Sequence, residues 1–289
     1  MNYILHIIVM IFIYGILALS LNLLIGYGGL ISVCHAAFYG IGAYTTTLLM
    51  MNFNMNFFLA LIVGVLLTSA MSLFIAYPSL RLKGDYFFLA SLGFQIIIFA
   101  ILYNWVNLTK GPYGIPGIPR PHVFGLALES EFFFFLFCGV IFYLIFLISK
   151  VLYNSPFGRV LKAIREDEIA AEALGKDVPA IKIWAFAISA GIAAIAGAMY
   201  AVYVSYIDPT SFTLDESIFI LSIVLIGGSG NLKGPLIGVV FMIVLPEILR
   251  FLRIPDTVAP NVRQIIYGLA LIILMKYRVQ GILGDYSFE

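Results

Sequence analysis

Few side chains in this sequence are placed where they could do covalent or metal chemistry. The three histidines, His6, His35 and His122, are far apart and lack the close spacing of metal ligands. Cys34 and Cys138 each lie within an apolar stretch, so both are interpreted as small buried hydrophobic residues. No nucleophile, base or metal ligands converge, and we predict no catalytic residue, no metal and no cofactor.

The sequence also lacks a phosphate-binding loop of the form G-x-x-x-x-G-K-[ST]. The segment from Gly228 to Gly234 is rich in glycine but does not have the Lys-Ser/Thr end. Any energy that the protein uses must therefore come from another subunit or from an ion gradient.

The composition places the chain in a lipid bilayer. Of the 289 residues, 62% are apolar and 11% are charged, and the first Asp, Glu, Lys or Arg is Arg81. Soluble proteins average roughly 25% charged residues, so a water-soluble domain is excluded. The net charge of +1 offers no basic surface for nucleic acid, and that class of partner is excluded as well.

Long apolar runs predict membrane-spanning helices, because a helix needs about 20 apolar residues to cross the hydrocarbon core. Nine runs are candidates: 3–25, 30–51, 57–77, 86–103, 131–150, 183–204, 216–228, 234–250 and 263–276. The seventh and ninth are short and could be discontinuous or re-entrant, so we expect about 8 to 10 spans. The predicted fold is an all-α, polytopic membrane helical bundle, because these runs are continuous and not alternating.

The basic residues of the short loops predict the orientation. Those near residues 81–83, 150–182 and 276–278 are placed in the cytoplasm, and the loop 104–130 is placed outside. The loop with Arg250, Arg253 and Arg263 also falls outside if there are nine spans. This conflicts with the rule that positively charged loops stay in the cytoplasm. A tenth or re-entrant segment near 227–235 would remove this conflict.

Acidic residues that could couple transport to an ion gradient are scarce. Asp208, Asp215 and Glu216 are placed around an external turn, and only Glu247 lies within an apolar run, near its end. Gradient-driven carriers need carboxylates near the middle of the membrane. The scarcity argues against a secondary carrier or channel, which stays a less favoured alternative, and for an ATP-driven partner.

The segment from Ser155 to Gly175 has the signals of two short helices at the membrane surface. Ser155 can cap the first helix, Pro156 suits its first position, and Gly175 can end the second. One interpretation is an amphipathic helix on the lipid surface. The other is a docking helix for a cytoplasmic partner, which the acidic run 166–168 favours.

Two strings, Leu24–Gly29 and Leu225–Gly230, share the pattern Leu-Ile-Gly-x-x-Gly. Transporters often contain internal repeats whose glycine-interrupted helices line the translocation site. Alternatively, the glycines only allow close packing of helices.

Short motifs distributed along the chain resemble a known family. They are GGLISVCHAAF (28–38) followed by GIGAY (40–44), LRLKGDY (80–86) with LGF (92–94), TKGPYGI (109–115), SPFGR (155–159), EALG (172–175), and GGSG (227–230) with GP (234–235). Together they resemble the LivM type of the branched-chain amino acid permeases of ABC importers. The sequence departs from that pattern at Cys34, where Gly is usual, at Gln95, where Glu is common, and at Ile169, where the general importer motif has Glu.

The resemblance implies a non-catalytic permease in the bacterial cytoplasmic (inner) membrane, with residues 1–289 forming one transmembrane permease domain. The implied partners are a second, LivH-like permease subunit, two cytoplasmic ATP-binding subunits and an external, periplasmic substrate-binding protein. A coupling loop, 151–182, would meet the ATPases through residues 155–175. Its candidate residues are Arg165, Glu168, Ala171, Glu172 and Gly175, with either Glu168 or Glu172 as the acidic contact.

The implied solute is a branched-chain amino acid, with urea or a short amide as the alternative. A small zwitterion would need backbone groups at broken helices and an apolar path. The candidate residues of this path are Gly28, Gly29, Ser32, His35, Gly227, Gly228 and Ser229. For His35 a second interpretation stays open, a hydrogen bond to a neighbouring helix.

Overall fold

The structure of the protein is a computed structural model. It describes residues 2–79, 85–123, 126, 127, 130–251, 262, 265, 266, 268, 269, 272, 276 and 280–284. Within these ranges nearly all regular structure is helical, which confirms the predicted all-α bundle.

Eleven α-helices are described. In chain order they are α1 (Asn2–Asn22), α2 (His35–Phe53), α3 (Phe57–Ser79), α4 (Asp85–Asn104), α5 (Val106–Thr109), α6 (Glu131–Asn154), α7 (Pro156–Glu166), α8 (Glu168–Ala173), α9 (Val178–Val204), α10 (Leu214–Gly227) and α11 (Lys233–Phe251). Helix α1 continues as a π-helical turn, Leu23–Tyr27, and 3-10 turns cover Gly111–Tyr113 and Pro209–Phe212. Four two-residue strands are β1 (Ile115–Pro116), β2 (His122–Val123), β3 (Leu126–Ala127) and β4 (Tyr206–Ile207).

The protein is a multi-pass membrane protein. Among the described residues, five helices are long and apolar enough to cross a bilayer: Tyr3–Tyr27, Phe57–Pro78, Tyr86–Asn104, Glu131–Asn154 and Val178–Val204. Helices α2, α10 and α11 occupy the predicted runs 30–51, 216–228 and 234–250, although α2 begins only at residue 35. The predicted run 263–276 lies largely outside the described residues.

Contacts between distant segments define the two sides of the bundle. Strand β1 pairs with β4 in antiparallel register, which joins the segments that follow α4 and α9 on one side. On the other side, α7 contacts the end of α1, and residues 282 and 283 bond to the end of α10. We call this second side the α7–α8 side. A turn of residues 228–232 joins α10 to α11 where the sequence suggested a re-entrant segment.

Helix α9 lies at the centre of the bundle and packs closely against α1, α2 and α3. Much of its surface consists of buried alanines, which let neighbouring backbones approach. At Gly197 the approach is closest, because a Cβ atom there would lie 2.0 Å from the Tyr39 carbonyl oxygen. The contact is with backbone, so a larger residue cannot be accommodated by a side-chain rotation.

We therefore expect Gly197→Val to destabilise the bundle by about 1–3 kcal/mol or more, because the extra methyl groups would force α2 and α9 apart. The measurement is the thermal unfolding of the purified protein in detergent. Gly93→Val is the matched control, since nothing lies within 4 Å of a Cβ atom at Gly93. Equal unfolding temperatures for the two variants would contradict the close α2–α9 contact.

Candidate translocation and coupling site

The first glycine string interrupts the helical path between α1 and α2. The π-helical turn ends at Tyr27, and the chain turns at Gly29, whose φ of +65° is a left-handed conformation that favours glycine. Residues 28–34 are not helical, and the helix resumes at His35. Two successive spans are thus joined by an irregular segment in which Gly29 and Ile31 are exposed and residues 32–34 are buried inside the bundle. Irregular backbone is tolerated there only where protein groups or a water-filled cavity satisfy it.

Side chains of two other helices satisfy the start of α2. Ala36 N donates to Ser217 Oγ of α10 at 2.9 Å, and Ala37 N donates to Gln95 Oε1 of α4 at 2.7 Å. Ser217 Oγ also donates to Gln95 Oε1 at 3.1 Å, while Gln95 Nε2 donates to the Phe212 carbonyl at 2.9 Å. Gln95 therefore fixes the start of α2 to α4 and to the entry of α10. In the sequence alone, Gln95 differs from its neighbours only as a departure from a family pattern.

His35 lies between three helices and has no exposed surface. Its Nε2 is 2.9 Å from Ser20 Oγ of α1 and 3.3 Å from Ser189 Oγ of α9. Ser189 Oγ in turn donates to the Ser20 carbonyl at 2.6 Å. This is the interhelical hydrogen bond of the second sequence interpretation. Ser32 is equally buried, with its Oγ 3.1 Å from Cys34 Sγ.

The structure brings the two glycine strings together. Asn22 of α1 donates through Nδ2 to the Asn231 carbonyl at 2.8 Å, and its Oδ1 accepts from Gly230 N at 3.1 Å. A Cβ atom at Gly26 would lie 2.4 Å from Gly230 N, so no larger side chain fits there. The two strings therefore meet at Gly26 and Gly230, at the α7–α8 side of the bundle, although none of these four contacting residues was among the candidate residues of the path.

The second glycine string ends α10 and also receives the C-terminal segment. Gly227 is the last residue of α10, and Gly228 has a φ of +100°. Ile282 N donates to the Ile226 carbonyl and Leu283 N to the Gly227 carbonyl, both at 3.0 Å. These bonds pair two of the four carbonyls that a helix end leaves without an internal partner. Ser229 is buried beside them.

Helix α7 rests directly on the interruption after α1. The Arg165 guanidinium donates to the Gly26 carbonyl, and Arg165 Cγ is 2.8 Å from the position of a Cβ atom at Gly29. Lys162 Nζ lies 4.6 Å from the centroid of the Tyr27 ring, within range of a cation–π interaction. The Arg165 side chain is only 9% exposed, so this candidate coupling residue faces the bundle and not an external partner.

The two short helices predicted for residues 155–175 are confirmed. Ser155 Oγ accepts from Gly158 N at 3.2 Å and caps α7, while Asp167 Oδ1 accepts from Ala170 N at 3.0 Å and caps α8. Gly175, with a φ of +76°, ends α8 in the arrangement that glycine favours at helix ends.

The remaining candidate coupling residues divide between two faces of α8. Ala171 is buried against Ile164 and Val178, and Glu168 forms an ion pair with Lys182 of α9 at 2.7 Å. These contacts hold α8 on the bundle.

The opposite face of α8 is exposed and partly apolar. Ile169 and Glu172 of α8 are exposed there, together with Leu174 and Gly175 directly after the helix, and the exposed fractions of Ile169 and Leu174 are 75% and 79%. Ile169 and Leu174 were not among the predicted coupling residues. The helical spacing of the segment could not show which apolar residues the bundle leaves uncovered.

The prediction that Asp215 and Glu216 lie around an external turn was wrong. Tyr14 OH donates to Glu216 Oε1 at 2.6 Å, and Tyr14 lies midway along the helical path from Asn2 to Tyr27. Glu216 and its neighbour Asp215 are therefore level with the middle of a span. The chain descends after β4 through Pro209–Phe212 into the bundle, a path that hydropathy does not reveal. Glu247 accepts a hydrogen bond from Tyr3, near the start of α1.

Comparisons with known proteins agree on one family. A family model described as "Branched-chain amino acid transport system / permease component" matches residues 3–275. The high-affinity branched-chain amino acid transport system permease protein LivM of Escherichia coli is 34% identical over 295 residues, which cover 94% of this chain and 68% of the relative. A probable LivM of Methanocaldococcus jannaschii is 26% identical over 317 residues, which cover 94% of this chain and 90% of the relative.

A more distant similarity extends to another import system. The autoinducer 2 import system permease protein LsrC of Salmonella typhi is 27% identical over 174 residues, which cover 57% of this chain and 48% of the relative. No solved structure matches the chain.

The joint between the glycine strings can be tested through Asn22. We expect Asn22→Leu to lower the free energy of unfolding by about 1–3 kcal/mol, because Gly230 N and the Asn231 carbonyl lose their partner. The measurement is again thermal unfolding in detergent. Asn104→Leu is the control, since Asn104 is exposed and its Nδ2 donates only to the Ala100 carbonyl of its own helix. If both variants unfold like the wild type, Asn22 does not hold the strings together.

Proposed function

The chain belongs to the branched-chain amino acid transport system permease family, and on that premise we propose how it works. It forms one half of the membrane path of an ATP-driven ABC importer for leucine, isoleucine and valine. The relatives with 94% coverage of this chain have names that specify branched-chain amino acid transport, which favours this solute class over urea or a short amide.

The other parts of the importer are separate subunits in this proposal. They are a second, LivH-like permease, two ATP-binding subunits and an external substrate-binding protein. The absence of a phosphate-binding loop from the sequence supports the assignment of ATP hydrolysis to partner subunits. The α7–α8 side is the cytoplasmic side, where basic residues such as Arg159, Lys162 and Lys176 are concentrated.

The exposed face of α8 is the docking surface for an ATP-binding subunit. It consists of Ile169, Glu172, Leu174 and Gly175, so it presents two large exposed apolar side chains beside a carboxylate. Glu172, and not Glu168, is the acidic contact, because Glu168 is already paired with Lys182. The capped ends of α7 and α8 and the buried contact of Ala171 make the docking unit rigid.

The proposed coupling mechanism rests on one observation, the hydrogen bond that Arg165 donates to the Gly26 carbonyl. Because α7 rests on the interruption after α1, a displacement of α8 by the ATPase is transmitted to residues 26–29. From there it reaches the second glycine string through Gly26 and Asn22. The docking surface and the two glycine strings thus move together, because Arg165 connects α7 to the first string.

The docking surface is tested by charge substitutions at its exposed apolar residues. We expect Ile169→Asp and Leu174→Asp to reduce ATP-driven leucine uptake at least ~10-fold, because a buried unpaired charge at an interface costs several kcal/mol. Uptake is measured in vesicles, and retention of the ATP-binding subunits is measured by mass spectrometry after purification in mild detergent.

Ala163→Asp is the matched control, an exposed residue of α7 that lies outside the docking surface. The control should keep both uptake and the partner subunits. If the two α8 variants transport leucine like the control, α8 is not the docking surface. If the wild-type chain purifies alone and moves leucine without ATP, the importer assignment itself fails.

The contact of Arg165 with Gly26 can be tested separately from the docking surface. Arg165→Met should leave the ATP-binding subunits bound, because Arg165 is not on the exposed face, yet it should reduce uptake per ATP hydrolysed. Arg159→Met is the control, since Arg159 is exposed and donates to the nearby Asn154 carbonyl. An unchanged ratio of uptake to hydrolysis in Arg165→Met would contradict the transmission through Gly26.

A further inference from the structure

A recess of about 210 Å³ lies between the middle of α4 and the start of α10. It is lined by Gln95, Ile96, Phe99, Thr213, Leu214 and Asp215. Its volume is below the roughly 300 Å³ at which pockets for drug-sized ligands begin, so it suits a small solute. The lining is mostly apolar with a few polar groups, the usual character of a small-molecule site.

The base of the recess is preformed. Gln95 has no exposed surface and is held by Ala37, Ser217 and Phe212 through the hydrogen bonds described above. The amide therefore cannot rotate without breaking contacts to both α2 and α10. Because Gln95 is already held in place, little side-chain conformational entropy is lost when a solute binds.

One helix position and one contact place the recess level with the middle of the spans. Gln95 lies midway along α4, and Asp215 precedes Glu216, which is bonded to Tyr14 midway along α1 and its extension. Substrate sites of membrane transporters commonly lie at this depth, where discontinuous helices meet.

The Asp215 carboxylate is the group that requires an explanation. Glu216 beside it accepts a hydrogen bond from Tyr14, whereas Asp215 is exposed and forms no hydrogen bond or ion pair among the described residues. A charged side chain at this depth is costly in contact with lipid and almost always faces a hydrated cavity or an ionic partner. The mouth of the recess must therefore open to water or to a cationic group.

We propose that this recess binds an aliphatic α-amino acid on its way across the membrane. The ammonium group of the solute pairs with Asp215, and its side chain lies against Ile96, Phe99 and Leu214. The open side of the recess faces the path between this chain and the second permease subunit. This inference rests on the proposed function, since it names where the importer holds its solute.

Cysteine labelling in the assembled importer tests the recess directly. The two native cysteines are buried, so an introduced thiol gives a clear signal. Ile96→Cys is compared with Val140→Cys on α6, because Ile96 and Val140 are 50% and 53% exposed and both lie near the middle of a helix. We expect a charged, membrane-impermeant methanethiosulfonate to modify residue 96 at least ~10-fold faster, since only a hydrated thiol ionises and reacts.

Bound solute should protect the thiol of Ile96→Cys from modification, and this protection should depend on the ammonium group of the solute. Leucine is expected to slow the modification of Ile96→Cys, whereas 4-methylpentanoate, which lacks the amine, is not. Adding Asp215→Asn should raise the leucine concentration for half-protection roughly 10- to 100-fold, the range for loss of a charged hydrogen bond. Asp215→Glu should restore most of the protection.

Two outcomes would overturn the recess proposal. Equal modification rates at residues 96 and 140 would mean that the recess faces lipid, and modification unaffected by leucine would mean that it holds no amino acid. Uptake by the wild-type importer is measured in the same vesicles. If wild-type uptake is ATP-driven while either outcome holds, only the recess proposal fails. If wild-type uptake does not depend on ATP, the proposed function fails instead.

Discussion

The absence of water from the bilayer core is the constraint on which this structure depends. A helix that stops inside the membrane leaves unpaired N–H or C=O groups, each costly in hydrocarbon. Helix α2 starts within the bundle, whereas α1 and α10 end at its α7–α8 side, and each of these ends is paired by a group from elsewhere in the chain. Gln95 and Ser217 pair the start of α2, Arg165 reaches the end of α1, and residues 282 and 283 pair the end of α10.

These pairings explain why distant segments act together. A polar side chain that satisfies a helix end cannot leave without exposing that end to an apolar environment. Arg165 therefore ties α7 to the end of α1, and Asn22 ties α1 to the turn after α10. The need to pair each helix end in a membrane thus also connects segments that are far apart in the chain.

Much of the fold could be predicted from the sequence, because hydropathy and helix signals are local. The spans, the caps at Ser155 and Gly175, and the position of the two glycine strings follow from residue types and spacing. The depth of Asp215 and Glu216 could not be predicted, since it depends on the descent of Pro209–Phe212 into the bundle. The role of Gln95 and the inward direction of Arg165 were also inaccessible, because both depend on contacts between segments far apart in the chain.

The closure of α10 by residues 282 and 283 has a consequence for biogenesis. These residues are synthesised after α10 and α11, so the carbonyls of Ile226 and Gly227 have no such partner while the ribosome is still translating the intervening segment. Until residues 282 and 283 have been added, only water or another protein group can pair these two carbonyls. The end of α10 is therefore completed only after α11 has been synthesised.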